Sequence, residues 1–332
     1  MTVGDNCEIQ VAVGRPYDDI QSTTKKCTHL DHACQGGWSV TTVDGVPDDL
    51  FAPMGGTAHL DDSQLQELQE AMADYTVQGI AEHTSVASFG KVTLQLLGLG
   101  APASIVRLSL EAAHDEVRHA QLCFAIANQI ARTLGQPTSD YPSVFPFPHA
   151  SVAISQDIQT LAAETLQEGV LGESVAAVSL CVRSRTTRNT KIGSLLEGIF
   201  AEEATHAVLA WKTLSFAVHD HAHKVEARRV VETWLTREIT EVEVDGMQLN
   251  QSSTTVFGLF RSKQETEWVQ RRAVRGFVRP LLVELLRVAN WEEFAAAVAA
   301  ATQMMQQQQH GGELKGVVGE CVHSVMDSFS NT

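Results

Sequence analysis

Basic residues are scarce in this sequence, and their scarcity excludes several classes of partner. The 332 residues contain 24 Lys and Arg against 40 Asp and Glu, which gives a formal net charge of −16 at pH 7. Proteins that bind nucleic acid or anionic membrane surfaces use basic patches, so we expect neither partner. No apolar run reaches the roughly 18 residues that a transmembrane helix needs. The N-terminal sequence MTVGDNCEIQ has neither the basic nor the apolar region of a secretory signal, so none is expected.

Cysteine is also sparse. Six cysteines among 332 residues are too few for a disulfide scaffold, and Cys123 and Cys181 lie in helical, apolar surroundings. Cytosolic proteins keep their thiols reduced. The composition therefore predicts a cytoplasmic protein with free cysteines.

Two of the remaining cysteines flank a histidine-rich segment, CTHLDHAC, which contains Cys27, His29, His32 and Cys34. Four such side chains could bind zinc. Their spacing matches no zinc motif that we recognise, so a surface loop with incidental histidines is the favoured interpretation. A zinc site and a Cys27–Cys34 disulfide stay open as alternatives.

Alternating β-patterns of useful length are absent, and most of the chain has helical periodicity instead. Residues 1–60 are rich in Gly, Pro, Asp and Thr, which predicts a loop-rich arm with Trp38 and Phe51 as anchors onto the body. Two helical hairpins follow, joined by a proline-rich connection. The long helices are predicted at 61–98, 102–134, 156–184 and 191–219, and further helices at about 222–245, 265–288 and 291–309.

This order of elements predicts an all-α protein. Two hairpins with a long connection between them are typical of a four-helix bundle with one long crossover. We divide the chain into an arm at 1–60, the bundle at 61–220, and additional C-terminal helices packed on the bundle at 221–332. The glutamine run at 306–309 and the glycine pair at 311–312 are predicted to end the regular part.

The second and fourth long helices carry ionisable residues in the middle of an apolar face. In the second helix, apolar residues spaced by three and four positions run over 105–130, with Glu116 and His119 among them. This spacing places all of them on one side of a helix. The fourth helix repeats the pattern around Glu203 and His206.

The first and third helices each contribute one glutamate on the apolar face. Glu82 precedes Glu116 by 34 residues, and Glu173 precedes Glu203 by 30 residues. Each half of the chain therefore reads Glu, about thirty residues, and then Glu-x-x-His. A helical hairpin with its chemistry repeated in both halves is the simplest interpretation.

Four carboxylates that face one core need a counter-charge. A buried lone carboxylate costs several kcal/mol or takes up a proton. Two divalent ions would balance four negative charges, and two imidazoles would complete their coordination. Carboxylate oxygen with imidazole suits Fe or Mn, and it makes an all-thiolate zinc site improbable. A metal-free helical bundle is the alternative.

Neighbouring residues with similar chemistry are excluded by helical phase. Glu111 and His114 also form Glu-x-x-His, but Glu111 lies five residues from Glu116, about 140° around an α-helix. We therefore expect Glu111 and His114 to be exposed or to be satisfied by another partner. By the same argument Glu168, five residues before Glu173, is disfavoured as a ligand.

Two other features favour ordinary interpretations. Gly169 and Gly172 are costly inside a helix, by ~1 kcal/mol each. Close helix packing explains them as well as space beside Glu173 for O₂, for substrate or for a local helix distortion does. The cluster of His219, Asp220, His221 and His223 is interpreted as a solvated helix end.

The residues now permit a resemblance to be named. DEVRH (115–119) and EEATH (202–206) resemble the (Asp/Glu)-Glu-x-Arg-His motif of the ferritin-like di-iron carboxylate superfamily, with Thr205 where Arg is common. EHTSVASF (82–89) and EGVLGESVAA (168–177) are similar to the single-Glu helices of bacterial ferritin-like proteins. The resemblance covers about 65–218. It implies two Fe ions, with Mn as an alternative at either position, held by Glu82, Glu116, His119, Glu173, Glu203 and His206.

The resemblance also implies supporting roles. The residue before each motif glutamate commonly orients the opposite histidine, so Asp115 would bond His206 and Glu202 would bond His119. Arg118 would help to neutralise this layer. The predicted lining of the substrate pocket is Val86, Phe89, Ala112, Cys123, Ala177 and Ile199.

Departures from individual families narrow the activity. Ferritins usually lack the second histidine, and this chain has no Cys-x-x-Cys pair of the rubrerythrin kind. Cys123 stands where ribonucleotide reductase small subunits place a radical tyrosine, which disfavours radical storage. Ile199 stands where arylamine N-oxygenases add a third histidine, which weakens the case for N-oxygenation.

The implied activity is that of a non-haem di-iron oxidoreductase of the oxygenase type. Such an enzyme uses O₂ to hydroxylate, desaturate or N-oxygenate a small organic substrate. The chain has no flavin or iron–sulfur signature, so an external electron donor, a ferredoxin or a reductase, is expected; a homodimer is allowed. The alternatives are a ferroxidase or peroxidase without an organic substrate, and a metal-free interaction module.

Overall fold

The computed structural model describes residues 50–51, 60–136, 154–236, 263–308 and 314–330, and these residues form helices with no strand among them. The all-α prediction is confirmed for this part of the chain. In chain order the elements are α1 (Asp62–Gly98), α2 (Ala103–Thr133), α3 (Ile158–Glu164), the π-helix π1 (Thr165–Glu173), α4 (Ser174–Thr186), α5 (Thr190–Ser215), π2 (Phe216–Asp220), α6 (Lys224–Thr236), α7 (Lys263–Ala273), π3 (Val274–Val278), α8 (Arg279–Arg287), α9 (Trp291–Gln308), α10 (Leu314–Asp327) and a 3₁₀ turn (Ser328–Ser330).

Local signals explain where the long helices begin and end. At the start of α1, the Asp61 side chain accepts from the Gln64 amide at 2.8 Å and the Gln64 side chain accepts from the Asp61 amide at 2.9 Å, which is a capping box. After α1 the chain turns at Gly100, whose φ is +69°. Asn189 caps α5 by accepting from two backbone amides. The predicted bounds of the first, second and fourth helices agree with the structure to within a few residues.

The chain divides into two compact units. Among the described residues, the first unit comprises 50–51, 60–91 and 113–136. There α1 and α2 approach closely at Gly79, because a Cβ on this residue would overlap the Phe124 ring. The arm is fastened at its end: the Leu50 amide donates to Gln129 Oε1 at 3.3 Å, and the predicted anchor Phe51 is buried.

The second unit comprises 92–112 and the described residues from 154 onward. Its centre is the α4–α5 hairpin, with π1 packed along α5 and α10 packed on α4. Four aromatic side chains join α5 to the C-terminal helices: Trp211, Trp291, Phe294 and Phe329. The three predicted domains, 1–60, 61–220 and 221–332, stay a prediction.

The prediction that regular structure ends at the glutamine and glycine runs is wrong. Helix α10 follows them, and its buried residues Val318, Cys321, Val322, Val325 and Met326 recur at helical spacing. Glycines at 316 and 319 lower the helix propensity of this short segment. Packing against α4 and α9 supplies the stability that the local sequence lacks.

The expectation of reduced thiols is wrong for one pair of cysteines. Cys181 on α4 and Cys321 on α10 form a disulfide between residues separated by 140 positions. Both are fully buried, and no local sequence signal connects them. The cysteine argument for a reducing compartment therefore loses its support, although Cys123 is a buried thiol that forms no disulfide.

Within the described residues, no helix has both the length and the apolar character needed to cross a bilayer. Several predictions lie outside the described residues: the arm with Trp38, the segment with Cys27, His29, His32 and Cys34, and most of the proline-rich connection.

Candidate metal centre

Helix α2 buries one of the two predicted Glu-x-x-His motifs. Glu116 and His119 both have no solvent exposure. Their spacing of three residues places them on one side of the helix. Glu116 Oε2 lies 3.7 Å from His119 Nδ1.

Helix α5 repeats this geometry. Glu203 and His206 are also buried, and Glu203 Oε2 lies 3.6 Å from His206 Nδ1. Each motif thus presents one carboxylate oxygen and one imidazole nitrogen, and the distance between these two atoms is nearly the same in both motifs. This is the internal repeat that the sequence predicted, now seen in side-chain geometry.

The separations fit two donors that share one ion. Both distances exceed the usual 2.7–3.2 Å of a hydrogen bond, so the glutamate Oε2 and the histidine Nδ1 of one motif are not hydrogen-bonded to each other. Two donors each about 2.1 Å from one ion lie roughly 3.0–3.6 Å apart when the angle at the metal is about 90–120°. Each motif can therefore act as a two-atom clamp with little side-chain movement.

The two motifs supply a single group of candidate ligands. Glu116, His119, Glu203 and His206 each offer one ligand atom, and these atoms all lie within 4.8 Å of one another. Among the described residues, this is the one group of three or more His, Cys, Asp or Glu side chains that meets this geometry. Two buried carboxylates with two imidazoles match the charge and donor types that a divalent transition metal requires.

The two single glutamates are buried but lie outside this group of four. Glu82 lies in the middle of α1 and Glu173 is the last residue of π1; their exposures are 8% and 4%. Their burial agrees with the apolar faces on which the sequence placed them. As metal ligands both residues stay predictions.

The third predicted helix is interrupted at its most important residue. Thr165–Glu173 is a π-helix, in which hydrogen bonds run from residue i to i+5, so residues five apart lie about one turn apart. The separation of about 140° between Glu168 and Glu173 assumed an α-helix and does not apply in π1. Glu168 is half-buried, and π-helical phase predicts that it lies near the side of π1 that carries Glu173. That Glu168 is not a ligand stays a prediction.

The two glycines of π1 have different surroundings. A Cβ on Gly169 would lie 2.7 Å from Ala210 Cβ, so this glycine allows π1 to approach α5 closely. A Cβ on Gly172 would meet only the Gln167 carbonyl oxygen, at an ordinary 3.8 Å. Close packing therefore explains Gly169 and does not explain Gly172.

The lookalike motif on α2 is exposed, as predicted. Side-chain exposure is 52% for Glu111 and 84% for His114, and Glu111 forms an ion pair with Arg107. In contrast Asp115, Arg118 and Glu202 are half-buried. The predicted bonds from Asp115 and Glu202 to the opposite histidines stay predictions.

Five of the six residues predicted to line a substrate pocket are buried. They are Phe89, Ala112, Cys123, Ala177 and Ile199, whereas Val86 is half-buried. That they line a substrate pocket stays a prediction.

Two histidines outside the group of four have lowered pKa values. Burial lowers the pKa of His83. Burial, and next the nearby Arg228, lower the pKa of His219. The prediction of a fully solvated helix end is therefore wrong for His219, which is 7% exposed, and holds for Asp220 and His223.

Comparison with known proteins adds no relative to this picture: no protein-family model, no curated protein and no solved structure matches the chain.

The sequence reasoning missed two residues beside Glu173. Trp211 on α5 donates its indole N–H to the Ser174 hydroxyl oxygen at 3.1 Å, and both residues are fully buried. Ser174 directly follows Glu173. The only sequence signal for this hydrogen bond is the position of Trp211, one and a half helical turns after His206. The sequence does not indicate that Ser174 is its partner.

Proposed function

We propose that the chain is a ferritin-like, non-haem dimetal oxidoreductase that uses O₂ to oxidise a small organic substrate. One observation carries the proposal: Glu116, His119, Glu203 and His206 are buried and bring their ligand atoms within 4.8 Å of one another. The repeated clamp geometry of 3.7 and 3.6 Å supports it. The predicted four-helix bundle with a long crossover belongs to the same proposal.

The donor set supports iron or manganese. The two clamps would hold the ions, and Glu82 and Glu173 would add two carboxylates, which makes six ligating residues for the two ions together. Two Fe ions, when bound, supply the redox chemistry that O₂ activation requires. Mn at either position is compatible with the same donors.

The protein's own residues have three tasks in this proposal. The carboxylates bind and orient the ions, and they neutralise charge that would otherwise be costly inside the fold. Each imidazole would bind one ion and thereby hold that ion beside its own helix. Buried apolar residues such as Ala177 and Ile199 exclude water, which limits side reactions.

Electrons must come from outside the chain in this proposal. The sequence contains no flavin or iron–sulfur signature, so a ferredoxin, a reductase or a reducing co-substrate would supply two electrons per turnover. The scarcity of basic residues supports a small-molecule substrate rather than nucleic acid.

The test is metal content followed by O₂ consumption. Protein expressed with ample iron should contain about two metal ions per chain, and Glu203→Gln should lower this number. The reduced protein should then consume O₂. Fewer than about one ion per chain in the unaltered protein would contradict the proposal. Repeated turnover of free Fe²⁺ without any organic product would instead identify a ferroxidase.

A further inference from the structure

The junction between π1 and α4 carries the last predicted ligand, and its conformation needs an anchor. Glu173 ends the π-helix and Ser174 begins the α-helix. π-helices occur mostly as short insertions in α-helices. If the insertion in π1 moved along the chain by one residue, the side chains next to the junction would rotate around the helix axis. The position of the Glu173 carboxylate thus depends on what fixes this junction.

The two glycines of π1 differ in how closely they are packed: Gly169, in the middle of π1, is tightly packed, and Gly172, near its C-terminal end, is not. Gly169 lies tightly against Ala210 of α5. Gly172, directly before Glu173, meets nothing closer than ordinary contact distance. A glycine in this position gives the backbone additional freedom where Glu173 must be held.

The Trp211 indole anchors the residue that directly follows Glu173. Its Nε1–H donates to Ser174 Oγ at 3.1 Å, and neither residue is exposed to solvent. Breaking a buried hydrogen bond of this kind is costly, because each polar group would stay desolvated without a partner. The bond connects α5 directly to the first residue of α4.

The indole is itself held by the C-terminal helices. Its ring stacks on Phe294 at 5.4 Å between centroids and contacts Phe329 at 6.2 Å. Trp291 stacks on Phe329 at 6.0 Å and completes the cluster. The Cys181–Cys321 disulfide joins α10 to α4 on the same unit. The C-terminal helices therefore fix Trp211, and Trp211 fixes the junction.

We propose that Trp211 is a positioning residue for the Glu173 carboxylate, acting through its hydrogen bond to Ser174. The proposal rests on the proposed function, because it takes Glu173 as a metal ligand. It assigns the C-terminal helices a role in the metal centre: they hold the side chain that sets the register of π1. Trp211 itself does not bind the metal.

The experiment compares four variants of the full-length protein. Trp211→Phe keeps an aromatic ring and removes the N–H, whereas Ser174→Ala removes the acceptor with a minimal change of volume. The double variant tests whether the two act through one bond, since it should then be no worse than either single variant. Trp291→Phe is the matched control, because it changes the same aromatic cluster without touching Ser174.

Two measurements are made on each variant. The first is hydrogen exchange of the backbone amides of 165–174 in metal-free protein, which should be about tenfold faster in Trp211→Phe and Ser174→Ala than in the control. The second is titration with Co²⁺, whose visible spectrum reports its coordination number. Both variants should bind Co²⁺ about tenfold more weakly than the control and show an altered spectrum.

The outcomes separate this inference from the proposed function. Unchanged exchange and an unchanged Co²⁺ spectrum in both variants would overturn it, as would equal effects in Trp291→Phe, which would indicate general loss of packing. Failure of the unaltered protein to bind Co²⁺ would overturn the proposed function and, with it, the role of Glu173 as the positioned ligand. Faster exchange with normal Co²⁺ binding would show that Trp211 stabilises the junction without positioning a ligand.

Discussion

Two pairs of glutamates in this protein have the same spacing and different fates. Glu111 and Glu116 lie five residues apart on α2, and Glu168 and Glu173 lie five residues apart on π1. On α2 the first glutamate is exposed and the second is fully buried. On π1 the first glutamate is half-buried and the second is buried.

The difference comes from backbone hydrogen bonding and not from the side chains. Five residues correspond to about 500° in an α-helix, so the two α2 glutamates diverge by about 140°. With i to i+5 hydrogen bonds, five residues correspond to about one turn. The same sequence separation therefore places two glutamates on different sides of an α-helix and is expected to place two glutamates on similar sides of a π-helix.

The largest contrast is expected between the two α2 glutamates. Glu116→Gln removes a buried charged donor from the group of four, so metal affinity should fall at least about 100-fold, or roughly 2.7 kcal/mol. Glu111→Gln changes only an exposed ion pair and should leave affinity unchanged. Equilibrium titration of both variants with Fe²⁺ under anaerobic conditions measures the difference. Equal affinity in the two variants would remove Glu116 from the ligand set.

Helical phase was sufficient wherever the backbone is a regular α-helix. It correctly predicted the burial of Glu116, His119, Glu203 and His206, and the exposure of Glu111 and His114. Phase calculated for an α-helix does not apply at Glu168, because Thr165–Glu173 is a π-helix, for which Gly169 and Gly172 were the only sequence indication.

Long-range partners were beyond the reach of the sequence. The bond from Trp211 to Ser174 spans 37 residues and the disulfide spans 140, and neither is marked by a local motif. Helix α10 was missed for the same reason, since its stability comes from packing against distant helices.

The next contrast tests the packing that holds π1 in place. Gly169→Ala would force a Cβ to within 2.7 Å of Ala210 Cβ, so the free energy of unfolding should fall by about 1–3 kcal/mol. Gly172→Ala meets no such obstacle and should be neutral or stabilising by up to about 1 kcal/mol. Chemical denaturation of both variants measures the difference. A stable Gly169→Ala variant would show that π1 can move away from α5.

A smaller contrast is expected within the π1 pair itself. If π-helical phase places both carboxylates on one side of π1, removing either charge should weaken metal binding: about tenfold for Glu173→Gln and about threefold for Glu168→Gln. The measurement is the same Fe²⁺ titration, with Glu111→Gln as the reference for an exposed charge. If Glu168→Gln behaves like Glu111→Gln, the shared side of π1 has no consequence for the metal.

The smallest effect is expected at the exposed face of α2. Arg107 and Glu111 form an i,i+4 ion pair whose side chains are 65% and 52% exposed. Such pairs contribute only about 0.3–0.5 kcal/mol, and salt screens them. Arg107→Ala should therefore change the midpoint of urea unfolding only marginally, and the change should vanish at 1 M NaCl. A larger, salt-independent loss would mean that this face of α2 is covered by another part of the protein, and the contrast between the two Glu-x-x-His motifs would then rest on ligand geometry rather than on burial.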